Sequence, residues 1–380
     1  MKIVIASDSF KGCCSSLEIA SAIETGIRRV FADADIITIA VADGGEGTVD
    51  ALVNGRNGIF RTVTVQGPID DMVEARYGII DGTTAIIEMA AASGLPLVPP
   101  EKRDPFFTTT YGTGQLIKDA LDCGCRKIII GIGGSATNDG GAGMAQALGV
   151  RFLDSHDREI GKGAIHLDRI KTIDMSGLDK RMQECQVIGL CDVTNPLTGI
   201  NGASYIFAQQ KGAKEDDLSK LDKILLGFAR TIKDQLGIDI LSIHGGGAAG
   251  GLAAGLVAFC NGSLQKGIDT ILTLVDFDNV IRNADLVITG EGALDGQSVN
   301  GKVPYGVAAA AAKYGIPVIA LTGTIGNNAD KVYSAGIASV MSIVNAPMSL
   351  EHAIRNYQSL AADASERLMR IIRIYKNNTR

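Results

Sequence analysis

Short runs of β-branched and aliphatic residues recur along the 380-residue chain, each followed by small and polar residues. They predict strands at 3–6, 36–41, 85–89, 127–132, 186–190, 286–289, 318–321 and 339–344. The runs are continuous rather than alternating, which suits a sheet buried on both faces. Helical patterns lie between several of them. One covers 17–31, where Ser15 and Glu18 form a capping-box pattern. Another covers 303–314, with Pro304 in its first turn and Gly315 after its end. From Leu350 onward, Ile354, Tyr357, Leu360 and Ala361 share one helical face. Alternating strands and helices predict an α/β fold with mostly parallel strands.

Single cores stop growing near ~250–300 residues, so a chain of this length predicts two domains. The alternation is cleanest at the two ends and more mixed in the middle. The expected arrangement is a discontinuous Rossmann-like α/β domain from 1–60 and 275–380, with a second α/β domain, 61–274, inserted into it. Ligands are expected in the cleft between the two.

Composition narrows the class. The chain is 46% hydrophobic and 21% charged, with a net charge of −6. That argues against a nucleic-acid or anionic-membrane surface, which needs a basic patch. The uncharged stretch 245–265 is long enough to raise the question of a membrane span. Its Gly and Ala content reads instead as a glycine loop and a tightly packed helix. Seven cysteines form no C-x-x-C pair, which disfavours a zinc site or disulfide framework and fits a reducing cytoplasm. The N-terminal apolar run is too short for a signal peptide. A homodimer is compatible with the sequence, but no interface signature marks one.

In open parallel sheets, ligands bind beyond the carboxyl ends of the strands. Polar clusters stand there repeatedly: Ser7, Asp8, Ser9, Phe10 and Lys11; Asp43 to Gly47; "GGSATNDGGAG" from Gly133; and Cys191 to Pro196, with Asp192. A further one follows 286–289, in "VITGEGALDGQSVNGKVPYG". Any one such cluster is explained by turns and caps. Five at the same end of successive strands predict a site lined by backbone N–H groups and carboxylates. Glycines let N–H groups approach phosphate oxygens. The acids, Asp8, Asp43, Glu46, Asp139, Asp192, Glu291 and Asp295, would repel a bare phosphate. A magnesium ion resolves that conflict by taking one or two carboxylates together with phosphate oxygens. Lys11, Lys211 and Lys302 are candidates to stabilise phosphoryl charge, so the residues point to magnesium-nucleotide phosphoryl transfer. None of the four histidines falls in a cluster, which disfavours a histidine triad or histidine metal site.

Two other readings stand beside this one. Gly131, Gly133 and Ala136 satisfy G-x-G-x-x-[GA], and Asp154 follows at a distance suited to a ribose contact, as in an NAD(P)-dependent oxidoreductase. Against it, Asn138, Asp139, Gly140 and Gly141 interrupt the place where a helix should begin. The second is a non-catalytic small-molecule sensor. Gly296, Gly301 and Lys302 nearly complete G-x-x-x-x-G-K-[ST], but Val303 stands where a hydroxyl should meet magnesium.

"ASDSFKG", "VADGGEGT", "IIEMAAASGL", "EKRDP" followed by "GTGQLI", "IIIGIGGSATNDGGAGMAQALG", "CDVTNPLTG", "GASYIFAQQKGA", "VITGEGALDGQSVNGKVPYGVA" and "PVIALTG", in this order, resemble the bacterial type 1 glycerate kinases across almost the whole chain. Two positions depart from that pattern: Ser7, where many members have Pro, and Ala293, where some have a basic residue. The resemblance implies ATP-dependent, magnesium-dependent phosphorylation of D-glycerate in the cytoplasm, at the 2-hydroxyl, in glyoxylate or aldarate breakdown. It also implies two α/β domains, one inserted in the other. The 3-hydroxyl is the alternative acceptor.

On this reading Asp192 or Asp8 orients and partly deprotonates the hydroxyl, with Lys11 beside it. Gly133, Gly134, Ser135, Thr137, Asn138 and Gly140 hold the nucleotide phosphates, together with Lys302. Ser9, Lys11 and Arg103 are candidates for glycerate, since an Arg can hold a carboxylate with two parallel hydrogen bonds. Asp139, Glu291 and Asp295 are the expected metal ligands.

Overall fold

The computed structural model describes residues 1–295 and 302–378. In chain order the strands are β1 (Lys2–Ile5), β2 (Asp35–Thr38), β3 (Ile59–Gln66), β4 (Met72–Ile80), β5 (Thr84–Glu88), β6 (Lys127–Gly131), β7 (Arg151–Leu153), β8 (Thr172–Asp174), β9 (Gln186–Leu190), β10 (Ser263–Gln265), β11 (Leu286–Leu294), β12 (Val318–Ile325) and β13 (Ile337–Ser342). The contacts divide the chain into two compact units. The first is Met1–Asp43, Asp50–Arg56 and Gly267–Arg380; the second is Gly44–Val49 and Asn57–Lys266.

The first unit carries a parallel sheet in the order β13-β12-β11-β1-β2. Within the unit this is the doubly wound order 2-1-3-4-5, the flavodoxin-like variant of the expected Rossmann-like arrangement. Successive side chains of a strand point to opposite faces, and β1 shows it. Val4 joins the apolar layer beneath the helices Gly267–Leu274 and Val303–Ala312. Ile3 and Ile5 join the layer beneath Ser16–Arg28 and Tyr357–Asn378. Both faces are covered, so the strand reads as a continuous apolar run. Ser15 caps its helix as expected: its side chain accepts from Glu18 N, and Glu18 reaches back to Ser15 N.

The second unit holds the order β10-β9-β6-β5-β4-β3. The first four strands are parallel, and β4 and β3 continue the sheet antiparallel. A small β7-β8 ribbon completes it. The long helix Glu215–Leu236 packs Leu221, Leu225, Phe228 and Ile232 into this unit's core. The uncharged stretch forms a tight turn over Ala248–Gly251, with Ala249 and Gly250 left-handed, and the helix Leu252–Cys260. No helix among the described residues is long and apolar enough to cross a membrane.

Candidate functional site

The first unit has its topological switch point between β1 and β11. From there the chain winds one way to β2 and the other way to β12, and the carboxyl ends of the two strands open a crevice. Backbone pairing continues past the end of β1, since Asp8 N donates to Gly290 O at 2.9 Å. This sets Asp8 beside the last residues of β11, where Glu291 stands. Asp43 follows β2, the neighbour of β1 on its other side.

Five charged side chains gather here. Lys11 Nζ lies 3.4 Å from Asp43 Oδ2, and Lys302 Nζ lies 3.0 Å from Glu291 Oε2. Asp8 is 3% exposed, and its Oδ1 accepts from Ser9 N at 2.8 Å. Burial pushes the Asp8 carboxyl up to about 7, and the Asp43 and Glu291 carboxylates add to the shift while Lys11 opposes it. Burial lowers the Lys11 ammonium, but Asp43 and Asp8 outweigh that and hold it above its ordinary range. Three carboxylates thus influence one another at this strand end, and one of them is hard to ionise.

Sequence reasoning placed Asp8, Ser9, Lys11, Glu291 and Lys302 in this region, and the fold brings them together. Asp43 joins them through the parallel pairing of β1 and β2. Lys302 occupies the position before the helix Val303–Ala312, whose first turn holds Pro304. Asp295 follows directly after β11. Gly296 and Gly301, the glycines of the near-P-loop pattern, lie outside the described residues. No group of three or more His, Cys, Asp or Glu side chains that could hold a metal ion occurs among the described residues. Magnesium does not require one, because it takes one or two carboxylates and keeps phosphate oxygens and waters.

The second unit carries the glycine loop after β6. It does not run straight into a helix: the helix Ala142–Ala147 begins only after two left-handed glycines, Gly140 and Gly141. Several segments hold the loop. Leu95 N donates to Gly134 O, Ala136 N to Ser93 O, Thr108 Oγ1 to Ala136 O, Asn138 Nδ2 to Ser204 Oγ and Gly140 N to Gly250 O. A Cβ on Gly250 would lie 2.0 Å from Thr137 O, so only glycine permits that approach. Gly133 and Gly134 remain exposed at the outer edge of the turn. Thr137 Oγ1 and Asn138 Oδ1 are buried without a hydrogen-bond partner, so the loop retains unused polar capacity.

Asp139 anchors this loop. It is fully buried, with Oδ2 accepting from Thr110 N at 2.8 Å, Thr110 Oγ1 at 2.9 Å and Gly143 N at 3.2 Å, and Oδ1 accepting from Gly141 N at 3.1 Å. Burial pushes its carboxyl up, and these donors pull it back without cancelling the shift. A metal at Asp139 would have to displace donors that the backbone needs. Thr110 gives no signal in the sequence, because it reaches Asp139 only through the fold.

The remaining predicted residues belong to the second unit. Asp192 is exposed just after β9. Arg103 turns its Nε toward Val98 O at 3.3 Å. Asp154 accepts from His156 N and pairs with Arg158 in a turn after β7, so it is not presented as a ribose contact. A groove lined by Gln66, Phe107, Tyr111, Arg151 and Lys162 opens elsewhere in the second unit. Its charges are already paired, Arg151 with Glu159 and Lys162 with Asp70, and it holds none of the predicted site residues.

Comparison with known proteins bears directly on this chemistry. The family model "Glycerate kinase family" matches residues 3–373. A "Glycerate 2-kinase" of Escherichia coli is 48% identical over 379 residues, covering 100% of both chains. A "Glycerate kinase" of Bacillus subtilis is 50% identical over 373 residues, covering 98% of this chain and 97% of that one. A crystal structure designated glycerate kinase 2, from Salmonella typhimurium LT2, is 46% identical with a TM-score of 0.92 and 99% coverage of each chain. These matches leave no place for the oxidoreductase or sensor readings. The chain belongs to the glycerate kinase family and is therefore a phosphotransferase acting on an alcohol group.

Proposed function

We propose that this protein transfers the γ-phosphoryl group of ATP to the 2-hydroxyl of D-glycerate with magnesium. The observation that supports it most is the gathering of Asp8, Asp43, Glu291, Lys11 and Lys302 at the switch point of the first unit, in a member of this family. Phosphoryl transfer asks for positioning and charge stabilisation more than for covalent help. A carboxyl that resists ionisation, with two further carboxylates and two lysines beside it, supplies that chemistry.

Magnesium, when bound, neutralises phosphate charge and orients the phosphoryl group. Asp8 and Glu291 are the residues proposed to hold it, with Asp43 adjacent and Asp295 following on the same strand end. Asp139 is assigned to the loop rather than to the metal, because hydrogen bonds from Thr110, Gly141 and Gly143 already hold its carboxylate. Lys11 and Lys302 sit against those carboxylates and offset charge developing on the transferred group. The loop from Gly133 to Gly140 takes nucleotide phosphates on its exposed glycine backbone. Asp192, exposed and carboxylate-bearing, is the proposed acceptor of the hydroxyl proton. Ser9 is the proposed partner of the glycerate carboxylate, with Arg103 as the alternative. The seven thiols are all free, which suits a cytoplasmic enzyme.

Phosphorus NMR of the product from D-glycerate, ATP and magnesium tests the reading against standards of both phosphoglycerates. A 2-phosphate signal is expected. A 3-phosphate signal would keep the kinase and overturn the regiochemistry. Full turnover with magnesium chelated would remove the metal from the proposal.

A further inference from the structure

Lys211 is buried to 1% exposure, and no other lysine among the described residues is classed as buried. It ends the 3-10 turn Gln209–Lys211 and reaches the glycine loop. Its Nζ donates to Ser135 Oγ at 2.8 Å and to Thr137 O at 2.7 Å. An ammonium taken out of water is costly unless paired, and an aliphatic side chain would fill the same volume without that cost. The contacts made in return are all to one loop.

We propose that Lys211 is a positioning residue for the nucleotide phosphates, clamping Ser135 and Thr137 so that the adjoining Gly133–Gly134 backbone is held in phosphate-binding form. The inference rests on reading this loop as the nucleotide loop. Lys211 is itself too deeply placed to touch a phosphate, so it acts through Ser135 and Thr137. Burial lowers its ammonium to about 7, and the Asp139 carboxylate opposes that shift. Among the described residues, Asp139 is the one charged group acting on it from the surrounding elements. Arg103 packs its carbonyl and Cβ against Gly212 but turns Nε to Val98 O. A phosphate chain arriving at the loop adds negative charge near Lys211 and favours its protonated form. Nucleotide binding is thus linked to uptake of a proton from solvent.

The test measures KM for ATP and for glycerate, and kcat, from pH 6 to 9 in the wild type, Lys211→Met and Lys211→Arg. In the wild type, KM for ATP should rise by up to about tenfold per pH unit above 7. Lys211→Met should raise that KM at least about tenfold at pH 6 and lose the slope, with a smaller change in kcat. Lys211→Arg should keep the affinity and lose the slope. Equal KM for ATP and equal slope in wild type and Lys211→Met would overturn the proposal while leaving the loop assignment standing. A change confined to KM for glycerate would overturn the loop assignment and this inference with it. Should the variants not fold, calorimetry of ADP binding to the wild type at pH 8, where free ADP is almost fully ionised, with metal chelated and in buffers of different ionisation enthalpy, decides the linkage. Net proton uptake is expected, and its absence overturns the linkage.

Discussion

Lys302 Nζ donates to Glu291 Oε2 at 3.0 Å, joining the residue before a helix to the second half of the strand that precedes it. Glu291 is 7% exposed at its side chain and Lys302 is 34% exposed. The pair therefore has one foot in the core and one in solvent. Because Lys302 is partly hydrated, its contribution to stability should be near that of an exposed ion pair, about 1 kcal/mol or less. Its contribution to stabilising phosphoryl charge should be far larger. Lys302→Met is expected to lower kcat by about 10²–10³-fold with little change in the thermal midpoint. Steady-state kinetics and thermal denaturation of the same preparation check this. A loss of stability that tracks the loss of activity would make the pair structural.

Burial, and after it the Asp43 and Glu291 carboxylates, push the Asp8 carboxyl up to about 7. Between its ordinary value and about 7 the folded protein binds a proton there that the unfolded chain does not. Stability should therefore fall as pH rises through that window and level off above it. Asp8→Asn removes the penalty. In metal-free solution at pH 8 the variant should be more stable than the wild type, by up to about 4 kcal/mol, with the gain vanishing near pH 4. The same variant should lose activity. Urea denaturation at several pH values is the measurement, and a pH-independent difference would remove the ionisation from the account.

Asp139 gathers donors from Thr110, Gly141 and Gly143 around one buried carboxylate. An asparagine would turn an NH₂ group toward N–H donors. Asp139→Asn should cost about 2–4 kcal/mol in stability. Magnesium affinity of the fraction that folds should be unchanged. A variant of wild-type stability that fails to respond to magnesium would restore Asp139 to the metal.

Two glycines make a paired test of close approach. Gly250 has φ +64°, and a Cβ there would meet Thr137 O at 2.0 Å. Gly250→Ala should destabilise by more than about 2 kcal/mol and raise KM for ATP. Gly227, within the helix Glu215–Leu236, has open space around its missing Cβ. Gly227→Ala should stabilise by about 0.5–1 kcal/mol, because alanine loses less backbone freedom in a helix. Chemical denaturation of both variants separates contact from propensity.

Much of the architecture is legible in the chain because its central strands are buried on both faces. Lys127–Gly131 and Gln186–Leu190 appear as local apolar runs, and the Ser15–Glu18 cap depends on residues three apart. The hairpin of β3 and β4 escapes the same reasoning. Its strand Ile59–Gln66 lies at the sheet edge with most side chains exposed, so no apolar run announces it. The three-residue strands β7, β8 and β10 are too short to show a period.

The sequence by itself determined the α/β class, the polar clusters at the strand ends and the family, because each is written in neighbouring residues. Tertiary structure alone decided what the charged groups do. Asp8, Asp43 and Glu291 become one electrostatic unit only when β1 pairs with β2 and β11. Asp139 becomes an anchor only when Thr110, far away in sequence, is folded against it, and Lys211 becomes buried only when its turn closes on Ser135 and Thr137. Desolvation and Coulomb interaction act through distance in space, and a linear chain does not carry those distances.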